Sequence, residues 1–344
     1  MKVKKSLLLL VLIVVFVLVG CSKGADTNGN APAPSNDQVY TIVFTNSGSE
    51  QAGLYKGAVA MKEYVEKESN GKIKMELYMN SQIGNDREGL ESVQTGSATM
   101  TITGLTQYTN FVQDLVALDQ PFLYEDAEQV NALFSDEEVV VKLNEMFGAA
   151  NYKYLGMNFQ GFRTLTSNRK VEKPADLKGM SIRVIESPTP LALWKALGAS
   201  PTPLSFAEVY TALQQGVVEA QENPIELIAS QKFYEQQKYI IDTNHQIQPL
   251  FWVVNPDFYN NLPADLQKVF DDGFQQALKA TDEATATDME KYNNTIKEYG
   301  SEFIAISDES RAEFKDLTSG VRADIEKQFP DFTKVINDAL GRIK

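Results

Sequence analysis

Polar and apolar positions between residues 39 and 300 follow two periods in turn. Tyr40–Thr45 is a short β-rich run that gives way to the small polar stretch Asn46-Ser47-Gly48-Ser49-Glu50. Leu54, Ala58, Met61 and Val65 then recur at spacings of four, three and four, one face of a helix that Asn70-Gly71 stops. Ile73, Met75 and Leu77 alternate with Lys74, Glu76 and Tyr78, the period of a half-buried strand. A helix over about 86–95 leads past Gly96 into a strand at Met100–Thr103. This β-α-β-α-β order predicts an α/β fold with a mostly parallel sheet covered by helices.

The same order restarts after a helical stretch around 126–148. Tyr152–Phe159 and Met180–Ile185 read as strands, and Leu191–Leu197 as a helix stopped by Gly198. Ser205-Phe206-Ala207-Glu208 is a capping box, and the helix it opens ends at Gly216. Val217-Val218 then reads as the start of a short buried strand, which would end on the polar cluster Gln221-Glu222-Asn223 before Pro224. Leu250–Asn255 reads as a central strand. Beyond Leu262 a helical pattern runs to about Tyr299 without a proline, roughly 50 Å of helix. Two sheets, each fed by βα units, predict two lobes, and a helix this long is expected to bridge them.

The N-terminus stands apart. Lys2, Lys4 and Lys5 precede thirteen apolar residues, Leu7 to Val19, too few to span a bilayer of about 30 Å. Leu18-Val19-Gly20-Cys21 resembles a lipobox, in which cleavage after residue 20 leaves Cys21 as an acylated N-terminus; a plain signal peptide with an incidental cysteine is the alternative. Residues 21–38 are polar and rich in Gly and Pro, the composition of a flexible tether. One lipid chain on such a tether would hold a soluble body at the membrane without entering it. Cys21 is the only cysteine, so disulfides and thiolate chemistry are excluded from the body. Without the three leader lysines, 29 basic residues face 46 acidic ones, a net charge of −17 that disfavours nucleic acid and anionic lipid as partners.

Against that acidic background the seven arginines are informative. Arg163 follows a strand and Gly161. Arg183 lies in Ser181-Ile182-Arg183-Val184-Ile185, where alternation turns it away from the face used by Ile182 and Val184. It is either an exposed arginine on an edge strand or a guanidinium presented to a cleft at a strand end, where its fork matches a carboxylate. Asn223-Pro224 has an equally local explanation, as a turn and helix cap. Phe206 fits a core aromatic or a cleft wall, and Asp86, in the run that opens a helix, fits a turn and cap. His245, the single histidine, reads as structural; no metal site or cofactor is implied.

The segments SQIGNDREGLESVQTG (81–96), ALDQPFLYED (117–126), GFRTLTSNR (161–169), LKGMSIRVIESP (177–188), GASPTPLSFAEVYTALQQGVVEAQENP (198–224) and KFYEQQKYIIDTNH (232–245) together resemble the substrate-binding proteins of tripartite ATP-independent periplasmic (TRAP) transporters, the DctP-like family. The resemblance implies a two-lobed periplasmic-binding-protein-like (Venus flytrap) α/β fold with crossing strands and a helix spanning both lobes. Lobe I would comprise 39–160 plus about 249–288, and lobe II 161–248 plus about 289–344. By the same resemblance Arg183 clamps a ligand carboxylate and Arg163 adds a second ionic contact. Asn223 and Phe206 touch the ligand, Asp86 and Glu222 are further candidates, and Gly104 stands where some sugar-acid binders have an acidic residue. The implied role is capture of a small organic acid, a C4-dicarboxylate or sugar acid, for an ion-gradient-driven permease of a small and a large membrane subunit. A carboxylate sensor, or a hydrolase using two carboxylates, is the alternative on this fold.

Overall fold

A computed structural model describes residues 38–343; the leader, Cys21 and the tether as far as Asp37 lie outside the described residues. Eleven strands form two sheets among them. The first contains β1 (Tyr40–Thr45), β2 (Ile73–Tyr78), β3 (Met100–Gly104), β4 (Lys153–Phe162) and β10 (Ile247–Val254), in the order β2-β1-β3-β10-β4. The second contains β5 (Thr164–Ser167), β6 (Ser181–Val184), β7 (Ser200–Pro203), β8 (Ala220–Asn223), β9 (Tyr239–Asp242) and β11 (Glu302–Ala305), in the order β11-β9-β5-β8-β6-β7. β1 pairs in parallel with β2 and β3, whereas β10 is antiparallel to both β3 and β4. The first sheet is covered on two faces: along β10, Phe251 and Val253 enter one apolar cluster while Leu250, Trp252 and Val254 enter the other.

The chain changes sheet twice within a few residues. β4 runs into β5 through Arg163, and β9 into β10 through residues 243–246. The two crossings are joined where the Arg163 N–H donates to the Gln246 carbonyl at 2.8 Å. A third connection is the helix Ala264–Tyr299, whose 36 residues span roughly 54 Å. Its first half lies along the helix Gly53–Glu68 of lobe I. The contact is so close that a Cβ on Gly57 would stand 2.0 Å from Thr281 Oγ1, so glycine is required there. Near its end Tyr292 and Ile296 enter an apolar cluster of lobe II with Val209, Ile228 and Phe233.

Three expectations are corrected. Val217-Val218 does not begin the strand: Val217 is 56% exposed, and the buried strand is the polar segment Ala220–Asn223 itself. The strand expected at Leu250–Asn255 begins earlier, at Ile247. The C-terminal helix Pro330–Arg342 does not stay with lobe II. Its Phe332, Val335, Ile336 and Ala339 pack with Leu115, Leu143 and Phe147 of the first lobe.

Candidate ligand-binding site

A cavity with a free volume of about 490 Å³, open solvent at its mouth included, lies between the sheets. Lobe I supplies Ser47, Asp86, Thr103 and Gln248; lobe II supplies Arg183, Phe206 and Asn223; Gln160 comes from the end of β4 and Arg163 from the β4–β5 crossing. Leu54, Ile185, Leu227 and Leu250 give it apolar walls. Five of the six ligand-contacting candidates read from the sequence are therefore brought together. The sixth, Glu222, does not line the cavity.

Arg183 sits on β6 between β7 and β8, not on an edge strand, and is 1% exposed. The Ser205–Glu208 capping box holds the loop after β7, and the Leu204 carbonyl just before it accepts from Arg183 Nε at 3.0 Å and Nη2 at 2.8 Å. Nη1 is buried without a partner among the described residues. Burial pushes the guanidinium down to about 10, with the charge of Glu222 opposing, so it remains a cation at neutral pH. A cationic donor held by a backbone carbonyl, with Nη1 unpartnered in a concave site, is suited to an anion.

Arg163 is placed differently. Its Nε and Nη2 donate to the Glu222 carboxylate, Nη2 also to the Glu222 carbonyl at 2.7 Å and to Asn223 Oδ1 at 3.2 Å, and Nη1 to Gln248 Oε1. Register explains the pairing: β5 and β8 are antiparallel with Thr164 opposite Asn223 and Leu165 opposite Glu222. Burial opposes ionisation of Glu222, but the neighbouring Arg163 and a hydrogen bond to His245 Nε2 at 3.2 Å hold its carboxyl down at about 2. The charge of Arg163 is thus met within the protein, and one Nη1 hydrogen is left for the second ionic contact expected of it. Burial lowers the His245 pKa despite Glu222, leaving it the neutral structural residue its isolation suggested.

Asn223 does not cap the following helix, whose N-cap is Pro224 without a side-chain bond. Its Nδ2 donates to Gln221 Oε1 at 2.5 Å, and Gln221 Nε2 in turn to Thr166 Oγ1 at 2.9 Å. One hydrogen of the Asn223 amide remains for the cavity. Asn85, not Asp86, caps the helix Asp86–Thr95, in a capping box with Glu88. That leaves the Asp86 carboxylate to accept from Thr103 Oγ1 at 3.3 Å; burial raises its pKa, with hydrogen bonding and Arg183 opposing. Phe206 packs edge-on to Phe233 at 5.9 Å between centroids and presents an apolar wall. At Gly104 a Cβ would lie 2.2 Å from Gln248 Nε2, so any side chain there would displace the amide that Arg163 holds.

Gln160 and Gln248 escaped the sequence reading, although Gln246 and Gln248 alternate with Ile247 at the period of the strand they open. Glu226 left no local signal. From lobe II its Oε1 accepts the Gly53 N–H at the start of a lobe I helix, at 2.6 Å, and its Oε2 accepts from Gln160 at 3.2 Å.

A model of the family described as bacterial extracellular solute-binding protein, family 7 (DctP), matches residues 44–328. The chain belongs to this family. As a family 7 solute-binding protein it is 35% identical over 266 residues to a solute-binding protein of Verminephrobacter eiseniae, covering 77% of this chain and 78% of the relative. It is 32% identical to the 2,3-diketo-L-gulonate-binding periplasmic protein YiaO of Escherichia coli, over 87% of this chain and 92% of that one. The crystal structure of a TRAP periplasmic solute-binding protein from Shewanella oneidensis with bound succinate superposes with a TM-score of 0.84 at 27% identity, covering 89% of this chain and all of the other. The two-lobed architecture read from the periodicities is the one these TRAP proteins have. The family is one of substrate-binding transport proteins rather than enzymes.

Proposed function

We propose that this chain is a lipid-anchored extracytoplasmic binding protein that captures a small organic acid and passes it to an ion-gradient-driven TRAP permease. The observation that carries the reading is Arg183: buried, cationic, fixed by Leu204, with Nη1 unpartnered in a cavity to which both lobes contribute. Asn223 and Phe206 orient the ligand, and lobe closure would remove water and strengthen the charge-assisted contact. The relatives' 2,3-diketo-L-gulonate and succinate are both carboxylates, in keeping with such a cation. Hydrolysis by two carboxylates about 5–9 Å apart is poorly served, because Asp86 is the one acidic side chain lining the cavity among the described residues. For anchoring, the support is the short apolar leader and the single cysteine at its end.

Calorimetric titration of the mature protein with organic acids should give tight, saturable binding to at least one. Arg183→Ala should weaken it by about 3–5 kcal/mol, two to four decades, by leaving the ligand carboxylate desolvated and unpaired. Arg183→Lys should also bind poorly, since an ammonium cannot hold Leu204 and the ligand through one planar fork. Affinity within threefold of wild type in Arg183→Ala would defeat the assignment. Cys21→Ser should release the protein from the cell surface.

A further inference from the structure

Acid capture requires the lobes to stay closed over the ligand, and the inference here rests on that reading. We infer that the protein closes its cleft with a clasp of its own, in which Thr109 and Asn110 of lobe I meet Ser187 and Glu186 of lobe II. This clasp touches no ligand, yet it slows the ligand's departure.

Both halves of the clasp continue directly from the cavity walls. Gln107 and Ile185 line the cavity, and within three residues of each the chain meets the opposite lobe. Thr109 Oγ1 and Ser187 Oγ lie 3.0 Å apart, with both residues at most 4% exposed. The Thr109 hydroxyl hydrogen is taken by the Thr106 carbonyl at 2.8 Å, so Ser187 is the donor across the cleft and Thr109 the acceptor. Asn110 Nδ2 donates to the Glu186 carbonyl at 3.0 Å. None of the four clasp residues lines the cavity.

Ser187 stands at the N-cap of the helix Pro188–Ala196, yet its side chain makes no bond to that helix. An N-cap serine accepts from the second or third amide of its helix. Here the third helical residue is Pro190, which has no N–H, and the hydroxyl is turned to lobe I instead. On the facing side, Thr106 holds Thr109 through its carbonyl, and its own hydroxyl donates to Asp119, which accepts from Gln246 in the β9–β10 crossing. The acceptor is thus mounted on the part of lobe I that is tied to a crossing between the sheets. The Gly53–Glu226 contact joins the lobes through other segments, so closure is held at two separate places. One net hydrogen bond of this kind is worth about threefold to tenfold in an equilibrium. Opening breaks the pair and returns both hydroxyls to water, so the gain belongs to the closed form. It is read in the rate of release and not in the rate of encounter.

The test is surface plasmon resonance on the immobilised mature chain, with the organic acids that bind it in calorimetry, succinate and 2,3-diketo-L-gulonate first. Ser187→Ala and, independently, Asn110→Ala should each raise the dissociation rate about threefold to tenfold. The association rate should stay within about twofold of wild type, and ligand-free urea melts should be unchanged. A second measurement needs no loss of contact. Thr109→Cys with Ser187→Cys, in a Cys21→Ser chain that has no other thiol, should form a disulfide under copper–phenanthroline oxidation. The oxidised form should take up and release acid at least about tenfold more slowly, and dithiothreitol should restore wild-type rates. Wild-type dissociation in both alanine variants, or paired cysteines that stay reduced, overturns the clasp while leaving acid capture standing. If no organic acid binds the wild-type chain, acid capture fails, and the claim about release fails with it.

Discussion

Arg163 and Arg183 line one cavity but enter it with different hydrogen-bonding capacity already taken up, and the difference dictates opposite responses to mutation. Arg163 and Glu222 are each about 1% exposed and form a buried ion pair. Breaking such a pair from one side strands the other charge, so Glu222→Gln should lower the unfolding free energy by about 3–5 kcal/mol in urea melts. Arg183 has no carboxylate bonded to it and carries a desolvation cost in the ligand-free protein. Arg183→Met should therefore leave apo stability unchanged or raise it, while affinity collapses. Equal losses of stability in the two variants would contradict the division of labour. Strand alternation turns Arg183 away from Ile182 and Val184 but leaves an exposed edge position open, and only the family resemblance points it into a cleft. The occupation of Arg163 was not legible in the sequence, since Glu222 lies 59 positions on and meets it only through the β5–β8 register.

At the level of elements, the informative failure is β8. Hydrophobic periodicity places the strand at Val217-Val218, yet Gln221, Glu222 and Asn223 form it, each at most 2% exposed. Polar side chains can make a buried strand when tertiary partners satisfy them, and Thr166 and Arg163 are supplied by a neighbouring strand and a crossing that periodicity does not see. β7 is a related case: its Ser200-Pro201-Thr202-Pro203 carries two prolines, tolerated because it is an edge strand. Across the lobes, Glu226 supplies what the helix Gly53–Glu68 lacks, since its N-cap Ala52 has no side-chain bond and Gly53 N–H is met by the Glu226 carboxylate instead. A carboxylate at a helix N-terminus is stabilising, by about 1 kcal/mol. Because this contact joins the lobes and Glu226 lies outside the cavity lining, Glu226→Ala should reduce ligand affinity about fivefold to tenfold without removing a ligand contact. It should also enlarge the radius of gyration of the ligand-bound protein in small-angle scattering. Wild-type affinity with an unchanged radius would show that the contact does not support closure.

For the molecule as a whole, the long helix was legible because an uninterrupted pattern without proline permits no earlier stop. The return of Pro330–Arg342 to lobe I was not, because an amphipathic face says that a helix packs, not on which lobe. The same dependence on distant partners governs the response to pH. Asp119 is buried where lobe I meets the β9–β10 crossing: its Oδ1 accepts from Thr106 at 2.9 Å and Gln246 at 3.0 Å, and Oδ2 has no partner among the described residues. Burial pushes its carboxyl up to about 7, with Thr106 and Arg163 opposing and Glu222 reinforcing. A carboxyl raised on folding binds its proton more tightly in the native state. It contributes stability that is full below its unfolded value of 3.8 and lost as pH climbs to about 7. Between pH 5 and 8 the loss is on the order of 2–3 kcal/mol. Glu222, held at about 2, titrates outside this window. His245, lowered by burial, acts in the opposite direction as its unfolded form protonates below about 6.5, while Asp86 and Glu226, both raised by burial, act in the same direction as Asp119, so the wild-type profile mixes several slopes. Asp119→Asn isolates one of them. Its stability relative to wild type, from urea melts at pH 5, 6, 7 and 8, should rise with pH by on the order of 2–3 kcal/mol and level off above pH 7. A difference that stays constant across that range would mean that Asp119 is ionised throughout and that the β9–β10 crossing is held by a charged, not a neutral, carboxyl.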